Sequence, residues 1–171
     1  MIIKTKKFTL RPIKLTDAQS YLECHKDKDA KRNFSHVPKN LNEAKKELKR
    51  NINKMKKKQG YTFAIEINKK FAGFVNLEIN NKPMYKHSAI LGIGIHKNYR
   101  KKGLGTAVIK KVTEFGFKKL KLKRIYGVCR IYNKASARMI KKAGFKLEGI
   151  LRKNKYKDGK YIDDMVWAKT K

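Results

Sequence analysis

The stretch "GIGIHKNYRKKGLGTAVIKKVTEFGF", residues 92–117, changes period twice. "GIGI" continues an apolar, strand-like run. "HKNYRKKGLG" is a basic turn with two glycines. From there Leu104, Ala107, Val108, Val112 and Phe115 recur at helical spacing. Gly103 and Gly105 remove side chains where strand passes into helix. The first N–H groups of a helix have no partner within it, and the positive end of the helix dipole lies behind them. Arg100, Lys101 and Lys102 add charge. Such a turn can cradle a pyrophosphate, and an ordinary glycine-rich helix start shares its appearance. Two sharper phosphate motifs are absent: there is no GxxxxGK[ST] loop, and the glycines do not follow the dinucleotide GxGxxG spacing.

Working outward, residues 3–13 alternate as one half-buried strand would. "TDAQSYLECHKDKD" reads as a helix capped by Thr16 or Asp17. "NLNEAKKELKRNINKMKKKQG" reads as a second, capped by Asn40 or Asn42 and ended by Gly60. Its apolar stripe is Leu41, Ala44, Leu48, Ile52 and Met55, and its lysine-rich face is solvated. "YTFAIEI", "KFAGFVNLEI" and "SAILGIGI" form a strand meander. After the helix at 103–119 come a short strand, "RIYGVC", and a helix, "NKASARMIKKAGF", capped by Asn133 and stopped by Gly144. A closing hairpin turns at Asp158-Gly159. The expectation is a mixed α/β fold, with residues 1–171 as a single domain around a central, mostly antiparallel sheet flanked by helices.

Composition bounds the partners. The 171 residues carry 46 Lys plus Arg against 13 Asp plus Glu, a formal charge of +33. Such a surface draws in anions, nucleic acid and ribosomes among them, and repels polycations. Compositional bias towards lysine would give the same count. Cys24 and Cys129 are far apart and read as reduced core thiols. His25, His36 and His96 have no metal-ligand spacing, so no metal is expected. The start lacks the pattern of a secretory leader, and no window reaches the ~18 apolar residues of a membrane span. A cytoplasmic protein without membrane contact, as monomer or homodimer, is expected. Asp163 and Asp164 read as solvent-facing or turn-capping, and Trp167 as core.

These motifs together resemble the GCN5-related N-acetyltransferases, and most nearly the branch that acetylates ribosomal-protein N-termini. Arg100-Lys101-Lys102-Gly103-Leu104-Gly105 is similar to that family's [Q/R]-x-x-G-x-[G/A] coenzyme A loop. Asn133, Ser136, Lys142, Gly144 and Phe145 match its N-x-x-S helix and K-x-GF ending. "FTLRPI" resembles its opening strand and "DGKYIDDMVWA" its closing one, so the resemblance runs across nearly the whole chain. It implies acetyl-CoA as cofactor. It implies a splayed strand at Ile93, Gly94 and Ile95 against the pantetheine arm, with amides of residues 101 to 106, up to Thr106, on the pyrophosphate.

Acetyl transfer needs a neutral amine, a polarised thioester carbonyl, a protonated leaving thiolate and two reactants held together. The resemblance assigns the carbonyl to the Ile95 N–H and the proton to Ser136, which can equally be a first-turn residue bonding backbone. Asn133 is both a helix cap and a contact to the cofactor arm. Two departures stand out. Many family members carry a tyrosine acid where this chain has Ile140, and a strand glutamate where it has Ile90. Glu78 is the candidate base, with His87 and Tyr85 near it in sequence. An α-amine, with a pKa of ~8, needs less help from a base than a lysine at ~10.4. The expected activity is therefore acetylation of a protein or peptide N-terminal amine, ribosomal proteins included. The rivals are a polyamine or aminoglycoside acetyltransferase and a non-catalytic RNA- or ribosome-binding protein on the same fold.

Overall fold

Eight strands and five α-helices are present in the computed structural model, which describes Met1–Lys171. The strands are hydrogen-bonded in the order β1-β2-β3-β4-β5-β6-β8-β7. The chain divides into two compact units: Met1–Glu78 with Gly92–Leu104, and Ile79–Leu91 with Gly105–Lys171. Strand β5 (Ser88–Ile95) contributes its first half to the second unit and its second half to the first.

In the first unit the expected opening strand is two strands, β1 (Ile3–Lys4) and β2 (Thr9–Pro12), paired antiparallel. Thr5 breaks the run: its hydroxyl donates to Phe8 O at 2.7 Å and accepts from Phe8 N at 3.0 Å, so the chain reverses there. Asp17 stands at the N-cap position of the next helix, α1 (Ala18–Lys26), as expected, but its side chain makes no cap hydrogen bond there. Its carboxylate takes both terminal nitrogens of Arg11 at 2.7 Å and the Lys14 N–H at 2.7 Å. A short α2 (Lys28–Asn33) follows, capped by Asp27. Helix α3 (Leu41–Lys56) is capped by Asn40, which accepts from Glu43 N. It stops before Lys58, at φ 57°, and Gly60 is instead the first residue of β3 (Gly60–Ile67).

Strand β3 pairs with β4 (Lys70–Ile79) through a turn in which Asn68 and Lys69 both have positive φ. That is the turn geometry whose twist suits a hairpin. The α3 stripe forecast from the sequence packs as expected. Ala44 and Leu48 are buried with Ile13, Leu22, Ala64 and Phe74, and Leu41, Ile52 and Met55 lie against them. Burying one such leucine contributes roughly 1.5–3 kcal/mol, so the stripe holds the helix where its lysine-rich sequence alone would not.

The second unit holds α4 (Leu104–Lys118) from Gly105 onward, β6 (Arg124–Arg130), α5 (Lys134–Lys142), β7 (Lys146–Lys157) and β8 (Lys160–Thr170). Val108, Ile109, Val112, Phe115 and Phe117 of α4 are buried, a wider arc than one amphipathic stripe. Helix α5 packs on β6 and β8. Asp158 and Gly159 both take positive φ and close the β7–β8 hairpin where the sequence placed its turn. Trp167 is buried as expected. Asp164 overturns its forecast: it is wholly buried, paired with Arg130 at 2.8 Å and bonded by the Asn154 amide at 2.7 Å.

Candidate active site

The β5-to-α4 connection has the geometry expected of the opening stretch. The chain leaves β5 at Ile95, makes a single 3-10 turn at Lys97–Tyr99 and enters α4 at Leu104. Lys101 and Gly103 take positive φ, at 62° and 74°. A Cβ built on Gly103 would meet no atom within 4 Å, so the face of the loop at this glycine is open. Helix geometry leaves the N–H groups of Leu104, Gly105 and Thr106 without intrahelical acceptors. An open loop, unbonded amides and a positive helix end fit a pyrophosphate. Lys101 and Lys102 are exposed beside it.

Arg100 departs from the expectation that it adds charge for a phosphate. Its Nη1 and Nη2 donate to Asp27 Oδ1 at 2.9 Å and Oδ2 at 2.7 Å, and its Nε donates to Ile95 O at 2.8 Å. The guanidinium is thus turned into the protein, where it ties the loop to α2 and to the end of β5. The Arg100 guanidinium also holds the Asp27 carboxyl below the usual carboxylate range, aided by the Ala30 N–H. Sequence reasoning missed Asp27. Its place before a helical turn is a cap signal, but a partner 73 residues away leaves no local trace.

Gly94 is required by packing within the fold as well. A Cβ there would lie 2.4 Å from the Phe74 ring and 3.0 Å from Phe34. On that side the space of the missing side chain is filled by aromatic packing. Ile93 and Ile95 flank it, both half-buried. Beside Gly73 the β4 and β5 backbones come close: a Cβ on Gly73 would lie 2.2 Å from Gly94 O. The His96 N–H donates to Ala72 O at 2.9 Å. At Gly92 the space is taken by the Asn76 amide, which a Cβ would meet at 2.4 Å. Strand β5 pairs in parallel with β6 only at Ser88, Ala89 and Ile90, then runs on to Ile95 beyond the end of that ladder.

Helix α5 carries the second group of candidates. Asn133 Oδ1 accepts from Ser136 N at 3.0 Å, so Asn133 caps the helix and its amide nitrogen is the atom left for a ligand. Ser136 is half-buried, at the first turn of α5. Burial pushes the Cys129 thiol up, and the Ser136 hydroxyl draws it partly back. Cys129 entered the sequence reading only as a core residue. Ile140 is buried, and a Cβ on Gly127 would touch its Cδ1 at 2.9 Å. Isoleucine and glycine interlock there.

Glu78, Tyr85 and His87 are the base candidates. The Glu78 carboxylate, half-exposed on β4, is engaged by the Lys54 ammonium from α3. Tyr85 and His87 are exposed on the β4–β5 connection, and the His87 carbonyl accepts from Lys123 N and Arg124 N. Both cysteines are buried and unpaired by disulfide. No three His, Cys, Asp or Glu side chains are grouped to hold a metal. No helix is long and apolar enough to cross a membrane.

The acetyltransferase (GNAT) domain family matches residues 7–146, from β2 through the loop to the end of α5. The chain belongs to the GNAT acetyltransferases. As a member it is an N-acetyltransferase that draws its acetyl group from acetyl-CoA. The chain is 29% identical over 175 residues to the probable N-acetyltransferase YjcK of Bacillus subtilis (strain 168), covering 98% of this chain and 96% of that protein. It is 25% identical over 99 residues to the L-amino acid N-acetyltransferase AaaT of Escherichia coli (strain K12), 58% of this chain and 61% of that one. Among solved structures it is similar to RimL, a ribosomal-protein alpha-N-acetyltransferase in complex with coenzyme A, with a TM-score of 0.90 and 19% identity. That alignment covers 99% of this chain and 98% of RimL. At this identity the likeness is one of fold, and it matches the eight-stranded mixed sheet described above.

Proposed function

We propose that this GNAT enzyme acetylates the N-terminal α-amine of a protein or peptide, holding acetyl-CoA at the loop of residues 100–106. The observation that carries the loop assignment is Gly103: left-handed, open on its outer face, and directly before α4. Backbone amides of Lys101, Lys102, Gly103, Leu104, Gly105 and Thr106 hold the pyrophosphate, and Arg100 fixes the loop from behind. When bound, acetyl-CoA supplies an acetyl group activated as a thioester. The Ile95 N–H polarises its carbonyl, positioned by the Arg100 bond to Ile95 O. Ser136 holds a transferable proton at Oγ for the leaving sulfur, and Asn133 orients the start of α5 while offering its amide to the pantetheine arm.

The acceptor assignment rests on four considerations. Ile90 cannot titrate, and Glu78 is occupied by Lys54, so no strong base stands ready. An α-amine at ~8 is already partly neutral at physiological pH, whereas a lysine ε-amine at ~10.4 is not. Among the matched relatives, AaaT is named for an amino acid and RimL for the alpha-amine of a ribosomal protein. The formal charge of +33 repels spermidine and attracts acidic chains or an RNA-rich ribosome. The test is kcat/KM for matched peptides that differ only in flanking charge, at low and high salt. Faster turnover of the acidic peptide, with the gap closing as salt rises, is expected; a preference for polyamines at low salt would sink the acceptor assignment.

A further inference from the structure

Strand β7 is the last strand of the sheet order, and along its 12 residues every one but Lys157 is exposed. Its outer end is unlike a solvated hairpin. Residues 152–161 carry five cations, Arg152, Lys153, Lys155, Lys157 and Lys160, against one carboxylate, Asp158. Two large aromatic rings sit among them. Tyr156 and Tyr161 are directly opposite in register and 67% and 64% exposed, with ring centroids 5.1 Å apart. Lys153 Nζ lies 5.7 Å from the Tyr161 ring centre.

We propose that this hairpin tip is a binding platform for single-stranded nucleic acid. The alternation of a strand puts Tyr156 and Tyr161 on one face and Lys155, Lys157 and Lys160 on the other. One face therefore offers paired π-surfaces for bases, and the ribbon around them offers cations for phosphates. Bias towards lysine explains many cations anywhere on the surface, but not two exposed tyrosines facing each other across a turn.

The platform is also held in shape. The ladder slips between Leu151 and Lys155, and the extra residues are anchored: Lys153, at φ 51°, donates its N–H to Asp163 Oδ1 at 2.7 Å, and the Asn154 amide reaches the buried Asp164 at 2.7 Å. A second copy of the chain is a poor occupant, because the same cations would meet themselves. An acidic polypeptide would satisfy the lysines but brings no flat group for the rings. A single strand brings both.

The test is fluorescence anisotropy of the full chain with labelled strands of about 12 nucleotides, within the span such platforms cover: RNA, DNA and an abasic strand of equal charge, with polyglutamate as competitor. Tyr156→Ala with Tyr161→Ala should weaken RNA or DNA binding at least about tenfold, leave the abasic strand unchanged, and be rescued by phenylalanine at both positions. Lys153→Gln with Lys160→Gln should flatten the salt dependence by roughly 0.7 per lysine. Unchanged melting of the variants checks the fold. Tighter RNA than DNA identifies RNA as the ligand, and equal affinity identifies any single strand. The proposal is overturned if the wild-type chain binds neither, if abasic and base-bearing strands bind alike, if the tyrosine variant loses nothing, or if polyglutamate competes as well as RNA.

Discussion

The guanidinium of Arg100 holds both carboxylate oxygens of Asp27, at 2.9 and 2.7 Å, while the same carboxylate caps α2 through Ala30 N at 3.1 Å. One acid thus fixes a helix start and the loop proposed to hold acetyl-CoA. Removing either partner leaves the other charge partly buried and unpaired. Asp27→Asn should lower stability by about 1–3 kcal/mol and reduce the thermal shift given by acetyl-CoA. Arg100→Lys should do nearly the same, because an ammonium cannot reproduce the bidentate grip and the bond to Ile95 O together. Asp27 has its pKa depressed in the folded chain. Its contribution is therefore complete above the ordinary carboxylate value of ~4 and is lost as pH falls through the lower folded value. The difference in Tm between wild type and Asp27→Asn should shrink below pH ~4. A difference that stays constant there would contradict the pairing.

Gly105 lies in the first turn of α4, where a branched side chain would stand over the proposed phosphate position. Gly105→Val should abolish most of the acetyl-CoA shift while the unliganded Tm moves little. Gly103→Ala should cost about 1–2 kcal/mol from its left-handed backbone alone, with no clash, since nothing lies within 4 Å of its Cβ position. An undiminished shift in Gly105→Val would move the pyrophosphate elsewhere.

Ser136→Ala separates the roles open to that residue. A proton donor should lose roughly 10²-fold in kcat with cofactor affinity nearly intact. A residue that only starts a helix should leave turnover unmoved. Asn133→Ala removes the cap seen at Ser136 N and should cost about 1 kcal/mol of stability whatever the chemistry.

His25 gives a second pH dependence. It is buried among Tyr21, Phe34 and Phe74, with centroid distances of 4.6, 4.7 and 5.3 Å, and its Nδ1 lies 2.8 Å from Tyr21 O. Burial lowers its pKa, so the folded state favours the neutral ring. Stability from this site is present above ~6.5, the unfolded value, and is lost as pH falls through the folded value. His25→Phe should flatten the fall in Tm just below pH ~6.5. An unchanged slope would mean that other groups dominate.

Local signals carried much of the fold. The three meander strands, the caps at Asn40 and Asn133, the stop at Gly144 and the Asp158-Gly159 turn each rest on a few adjacent residues, and each appears where its residues place it. The failures were long-range. Thr5 splits the first strand by bonding Phe8, and Asp17 keeps the N-cap position of α1 but turns its carboxylate to Arg11. Asp164 goes fully inside because Arg130, 34 residues away, pairs with it. In the candidate site, the glycine loop was legible because Gly103 takes a left-handed backbone, which glycine adopts without strain, although Lys101 takes it too. The direction of Arg100, the ring over Gly94 and the lysine on Glu78 were not, since each depends on a partner that only the fold brings near.

The central claim is transfer of an acetyl group to an α-amine by a chain that holds acetyl-CoA at residues 100–106. The most direct measurement is mass-spectrometric localisation of the acetyl group after incubation with acetyl-CoA at low salt. The acceptors are acidic and basic peptides, each with a free N-terminus and one internal lysine, together with spermidine. The account predicts acetylation at the N-terminal amine, fastest on the acidic peptide and lost in Gly105→Val. Acetylation chiefly of the lysine side chain or of spermidine, or product formation undiminished in Gly105→Val, would contradict it.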